Sequence, residues 1–169
     1  MQIKIIAVGA IIFAIVSAVY GCNKCPNEKL PICLDTVSLD ANAHKNVFTS
    51  GNPKVVTFIK PSCFQFLDME ILRRQINNNP EFDFLFYVND DNINCRDMLE
   101  HFVHDNQLPI VLFIDYDNEY RKANNLSDNI GFTTCIIDEN LIQRGVALIG
   151  CRFSPFDNVI NKVRMQLDL

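Results

Sequence analysis

Between residues 55 and 167 the chain alternates short apolar runs with stripes of apolar residues at helical spacing, and this alternation limits the fold more than any other feature. Residues 55–59 form a run of strand length that breaks at Lys60-Pro61-Ser62. Phe64, Leu67, Ile71, Leu72 and Ile76 then recur near a period of 3.6, which predicts a helical segment from Cys63 to about Asn78, ended by Asn77-Asn78-Asn79-Pro80. Phe82, Phe84, Phe86 and Val88 alternate with Asp83, Leu85 and Tyr87, which predicts a strand whose opposite face is only partly polar, as in a central parallel strand covered by helices. Cys95, Met98, Leu99, Phe102 and Val103 mark a second helix, residues 110–114 a third strand, and residues 119–124 a short helix. Residues 133–137 and 141–149, joined by Asp138-Glu139-Asn140, predict a hairpin. A last helix opens with Ser154 as its cap, Pro155 at the first helical position and Asp157 behind them, and carries Phe156, Val159, Ile160, Val163 and Leu167 on one stripe. Strands separated by helices imply right-handed parallel crossovers, and the closing hairpin adds antiparallel strands.

With 169 residues, 49% of them hydrophobic, the chain is long enough for one domain with a sizeable core and an appendage. The net charge of −5, from 15 basic against 20 acidic residues, argues against a nucleic-acid partner. Residues 1–21 have signal-peptide architecture: a short start carrying Lys4, then an almost unbroken apolar run that is short for a membrane span. Val19-Tyr20-Gly21-Cys22 resembles a bacterial lipobox, which implies cleavage before Cys22 and a lipid on that cysteine. Tyr20 departs from the small residue usual there, so a plain secretory leader or an uncleaved anchor stays open. The division expected is a signal peptide over 1–21, a tether and irregular or edge segment over 22–52, and the folded domain over 53–169. Export, to the cell envelope or in secreted form, places the chain where disulfides persist.

With Cys22 assigned to a lipid, Cys25, Cys33, Cys63, Cys95, Cys135 and Cys151 remain, and their pairing is open. Cys25 and Cys33 lie in a Pro-containing polar segment, where they pair locally or bridge to the body. Cys135, inside a strand-like run, reads as a small buried hydrophobe. The three histidines fall near no CxxC pair. His101 and His104, one helical turn apart, have no third ligand in register, so no metal is expected. Asp115, Asp117, Asp128 and Asp138 lack calcium-loop spacing and read as turn formers. No Gly-rich phosphate loop, GxSxG or HExxH occurs, and no cofactor is expected.

Cys63 is the candidate nucleophile. A thiol in the first turn of a helix meets unpaired N–H groups and the positive dipole end, both of which favour thiolate. Lys60 acts in the same direction if it approaches, or else stays a solvated charge; Phe64 and Phe66 oppose it by giving the thiol an apolar surround. The stretches 55–63, 82–86 and 131–138 resemble the thioredoxin-like proteins, in particular the exported, lipid-anchored ones related to the TlpA and ResA redoxins and short Bacteroides-type lipoproteins with a redox-like site. The resemblance covers about two thirds of the chain. It implies an α/β, three-layer thioredoxin-like fold with a central mixed sheet, an extra strand-helix insertion and a C-terminal helix. The family motif is CxxC, whereas Phe66 stands here where the second sulfur belongs. The family's cis-proline matches Phe132, where trans geometry is expected because a non-proline cis bond costs several kcal/mol. The implied site consists of Cys63, lined by Pro61, Ser62, Phe64, Phe66, Phe132 and Thr133, with protein thiols or disulfides as partners; an external thiol or another cysteine resolves the mixed disulfide, and Cys95, near the start of the second helix, is the first internal candidate. Two readings follow. One is monothiol exchange through Cys63 in a lipid-anchored envelope protein; the other is a redox-inactive module that binds a partner protein there. In a eukaryotic secretory route, Asn125-Leu126-Ser127 is a glycosylation sequon.

Overall fold

A computed structural model of the chain describes residues 28–31, 35–40, 46–89 and 95–169. The proposed leader and the positions of Cys22, Cys25, Cys33 and His44 lie outside the described residues, as does the side chain of Cys95.

Among the described residues six strands form one sheet: β1 (Asp35–Ser38), β2 (Lys54–Ile59), β3 (Asp83–Asn89), β4 (Val111–Asp115), β5 (Phe132–Ile137) and β6 (Gln143–Val146), in the order β1-β4-β3-β2-β5-β6. β2, β3 and β4 run parallel, while β1, β5 and β6 each pair antiparallel with their neighbours. The helices are α1 (Met69–Asn77), α2 (Cys95–Asp105), α3 (Glu119–Ala123) and α4 (Phe156–Gln166), and a 3-10 helix, Pro61–Phe66, precedes α1. This is the mixed α/β sheet expected from the pattern, with parallel crossovers through α1 and α2 and a closing antiparallel pair β5-β6.

Alternation along the strands builds two cores. Val55, Ile59, Phe84, Phe86 and Val88 face one side, where Leu72 and Ile76 of α1, Leu99 and Val103 of α2, and Phe156, Ile160 and Val163 of α4 cover them. Val56, Phe58, Leu85 and Tyr87 face the other, beneath Tyr120 of α3 and Val47. Both faces of β3 are buried, which is why its sequence lacks a polar stripe.

Two helix starts differ from the sequence reading. The segment predicted as continuous from Cys63 is split, because the 3-10 helix stops at Phe66 and α1 begins only after Asp68, whose carboxylate accepts from the N–H groups of Glu70 and Ile71 at 3.2 Å each. Asp68 competes for the backbone as a cap residue does, and this restarts the helix. At α4 the capping position falls to Pro155, and the buried Ser154 Oγ has no hydrogen-bond partner. The Ser154 N–H is instead turned back to the Cys151 carbonyl at 3.1 Å.

Candidate functional site

Cys63 lies just beyond the C-terminal end of β2, in the first turn of the 3-10 helix, where its N–H donates to the Lys60 carbonyl at 2.8 Å. Pro61 opens that turn with its missing N–H at no loss, and no side chain caps it. The six residues Pro61–Phe66 include no buried side chain, so this is a thin covering over the end of the sheet. Cys63 itself is partly buried against the α1 and α4 core and is a free thiol. The end of α1 that would favour an anion is occupied by the Asp68 carboxylate, beyond the 3-10 helix. Its dipole therefore serves Asp68 and not Cys63, a correction to the sequence argument. The Ile71 N–H, assisted by Arg152 at 3.2 Å, holds the Asp68 carboxyl below its ordinary value.

The residue directly against the sulfur is Gly131, which ends the loop before β5. A Cβ placed there would come within 2.9 Å of the Cys63 Sγ, closer than real Cβ contacts allow. The Lys60 N–H donates to the Gly131 carbonyl at 2.7 Å, which clamps this loop to the turn carrying the thiol. The Lys60 ammonium donates to the Asp128 carbonyl at 3.0 Å, so it ties the same two loops together at their outer edge. All peptide bonds among the described residues are trans, Ile130 through Phe132 included. Sequence reasoning placed Phe132 opposite the thiol and missed Gly131. The available signal was an isolated glycine next to a strand, which marks a close approach of backbone to another group.

The other predicted lining residues divide. Pro61 and Ser62 share the turn, and Phe64 stands edge-on to Phe102 of α2 with ring centroids 4.9 Å apart. Phe66 turns outward and is 62% exposed, so it does not fill the space a second active-site sulfur would occupy. Phe132 pairs with Ile59 and packs toward the thiol's core, whereas Thr133 pairs with Phe58 and shares its face, on the other side of the sheet. Cys95 is the first residue of α2. Cys135 is buried in β5 with its Sγ 3.8 Å from the Tyr120 hydroxyl.

A second thiol does approach the site. Cys151 precedes α4, and its Sγ lies 3.8 Å from the carbonyl oxygen of Phe66, the last residue of the 3-10 helix. Gly150 fixes its position: the Asp68 N–H donates to the Gly150 carbonyl at 2.8 Å, and the Gly150 N–H donates to the buried Gln75 Oε1 at 2.8 Å. Gly150 has φ of +68° and packs on Leu67 and Leu72, so both its conformation and its close contacts call for glycine.

His101 and His104 sit on the surface of α2 among Asp97, Glu100 and Asp105, with His101 Nδ1 3.4 Å from Asp105. Among the described residues no group of three or more His, Cys, Asp or Glu side chains is placed to hold a metal. Asp115 and Asp138 act as turn formers. Asp115 accepts from the N–H groups of Glu119 and Tyr120 at 2.7 and 3.0 Å, and Asp138 from those of Asn140 and Ile142 at 2.9 Å each. A cavity of about 620 Å3 lies at the opposite end of the parallel strands, lined by Asn52, Asp83 and Phe84 among others, and has no part in the thiol chemistry.

No protein-family model matches the chain, and no curated protein matches it. Solved structures do. A thioredoxin-like protein in the oxidised form superposes with a TM-score of 0.63 at 10% identity, covering 85% of this chain and 97% of that one. A secreted thiol-disulfide isomerase from Corynebacterium glutamicum gives 0.53 at 17% identity over 70% and 72%, and a DsbF homologue from Corynebacterium diphtheriae gives 0.52 at 13% identity over 66% and 72%. At such identities the likeness establishes the fold: this chain is thioredoxin-like in architecture.

Proposed function

We propose that the chain is an exported thioredoxin-fold protein that carries out thiol-disulfide exchange through Cys63. The observation that carries this reading is a free, partly exposed sulfur just beyond the C-terminal end of a central parallel strand, seated against the bare backbone of Gly131. Ligands of open α/β sheets are bound at this end of the strands. The Cys63 thiolate attacks one sulfur of a protein disulfide, the other sulfur leaves as a thiolate, and a mixed disulfide remains for a second thiol to resolve. A side chain at position 131 would obstruct that approach, and Gly131 keeps it open. The secreted thiol-disulfide isomerase, named for such chemistry, shares the architecture and supports this choice of reaction class. Cys95 is the resolving thiol that the sequence reading favours.

Export and anchoring belong to the same proposal. Residues 1–21 serve as the leader, Cys22 takes the lipid, the chain between Cys22 and the edge strand β1 serves as the tether of a domain that includes β1, Val37 and Val47 ahead of residue 53, and the protein works at the cell envelope on protein thiols or disulfides. Among the described residues no helix is long and apolar enough to cross a membrane. Incorporation of a fatty-acid analogue, lost on Cys22→Ala, tests the anchor.

A second reading rests on Phe66. With an exposed aromatic ring on the residue that replaces the motif's second cysteine, the face around Cys63 binds a partner polypeptide and performs no exchange. Insulin reduction separates the two. Turnover that disappears in Cys63→Ser supports the enzyme, whereas no turnover and no alkylation of Cys63 at neutral pH support the binding module.

A further inference from the structure

We infer that the resolving thiol is Cys151, supplied by the loop before α4 in place of the missing sulfur at position 66; this rests on Cys63 acting as the attacking thiol. The two sulfurs stand at opposite ends of one short helix. Cys63 lies in its first turn, and the Cys151 Sγ touches the carbonyl of Phe66, its final residue. In a 3-10 helix residues three apart are eclipsed and rise about 6 Å, so Cys63 and Phe66 share one edge of the turn. Cys151 thus reaches, from another part of the chain, the main chain at the far end of the turn that carries Cys63.

A disulfide needs Cβ atoms within about 4.5 Å, so the 3-10 turn must loosen before the two sulfurs bond. The surroundings assign that movement to Cys63. Its turn has no buried side chain and no side-chain cap, the marks of a segment that opens at low free energy. Cys151, by contrast, follows Gly150, which is held through both its N–H and its carbonyl to α1 and Asp68. Gly131 and the Lys60 clamp hold the attacking sulfur in its resting place until a mixed disulfide forms.

The step balances. The Cys63 thiolate and a substrate disulfide give a Cys63 mixed disulfide and one substrate thiolate. The Cys151 thiolate then attacks the Cys63 sulfur, forms the Cys63–Cys151 bond and expels the second substrate thiolate. Two protein thiols are oxidised, the substrate disulfide is reduced to two thiols, and the protons of Cys63 and Cys151 pass to water or to the departing thiolates. Burial pushes the Cys151 thiol up to about 11. It is therefore protonated at neutral pH and competes poorly as a first attacker, and its attack accelerates as the pH rises toward that value.

Dithiobis(nitrobenzoate), added to the reduced full-length chain at less than one equivalent, tests the assignment through the coloured thiolate released and the peptides then cross-linked. The wild type is expected to release both halves of the reagent and to yield a Cys63–Cys151 disulfide. Cys151→Ser is expected to release one half and keep the adduct on Cys63. Release of the second half from the wild type is expected to climb about tenfold per pH unit between about pH 7 and about pH 10, following the thiolate fraction of the attacker. A wild type that keeps its adduct as Cys151→Ser does, or that yields Cys63–Cys95, overturns the role of Cys151 and leaves Cys63 standing. If Cys63→Ser still reacts as fast as the wild type, the Cys63 reading fails instead.

Discussion

Two thiols on opposite faces of one sheet have different chemical environments, and their surroundings explain why. Cys63 lies past the end of β2 under a 3-10 turn without a buried side chain, with a bare glycine across from it. Cys135 lies inside β5, surrounded by the stacked rings of Tyr120 and Tyr87, whose centroids are 4.3 Å apart, and close to the Tyr120 hydroxyl. Burial drives the Cys135 thiol well above its ordinary value, and the nearby Glu28 carboxylate adds to that effect. Glu28, itself buried, accepts a hydrogen bond from the Tyr120 hydroxyl, and desolvation raises its own carboxyl. A cysteine is thus made available or unreactive by what covers it.

Removing the cover from the closed side should have the largest effect. Tyr120→Ala deletes a fully buried ring and is expected to cost about 3–5 kcal/mol of stability in urea unfolding, with Cys135 gaining reactivity while the folded fraction retains a reactive Cys63. A loss below about 1 kcal/mol would mean that the stack does not hold this face together. In the native wild type, iodoacetamide should modify Cys63 faster than Cys135 by about 100-fold or more, since Cys135 is reached only through opening of the sheet. Equal rates in the native state would abolish the contrast, while equal rates in denaturant are expected.

Asp68→Ala bears on the open side, because Asp68 caps α1 and its backbone N–H holds the Gly150 loop. It is expected to lower stability near neutral pH through loss of the side-chain cap. The Asp68 carboxyl is held below its ordinary value, so this stabilisation is present above the unfolded value near 3.8 and is lost as the pH falls through the folded one. The penalty of Asp68→Ala should accordingly shrink in acid. The smallest effect is expected at Glu28, whose raised carboxyl makes the fold bind a proton that the unfolded chain has released. Wild-type stability therefore falls as the pH rises from about 4.5 through the folded value, a loss that Glu28→Gln does not suffer. Glu28→Gln should gain stability at pH 7 relative to wild type, and the difference should vanish below about pH 4.5. A constant difference across that range would show that Glu28 is not desolvated.

Much of the fold was legible because strand and helix periods leave direct traces. The runs at 55–59, 82–88 and 110–114 became the parallel strands β2, β3 and β4, and the stripe from Phe156 to Val163 became the buried face of α4. Boundaries were less legible. Phe64, Leu67, Ile71 and Ile76 keep helical spacing across Asp68, so periodicity alone shows no break, although the cap at Asp68 makes one. The hairpin's second strand is shorter than its apolar run because β6 ends at Val146 and the chain then turns through Gly150 toward α1. Thr133 follows Phe132 along the chain but lies on the other side of the sheet, because neighbours in a strand point to opposite faces.

From residue order alone came the type of fold, the candidate nucleophile Cys63 and the absence of a second sulfur at position 66. These follow from local periods and local spacing, which the covalent chain carries with it. The contact of Gly131 with the Cys63 sulfur, the capture of the α1 dipole by Asp68 and the approach of Cys151 to Phe66 join residues far apart along the chain or depend on how a loop docks. Only packing decides such contacts. The distance between two side chains on separate elements depends on every strand register and loop between them, and no periodicity encodes it.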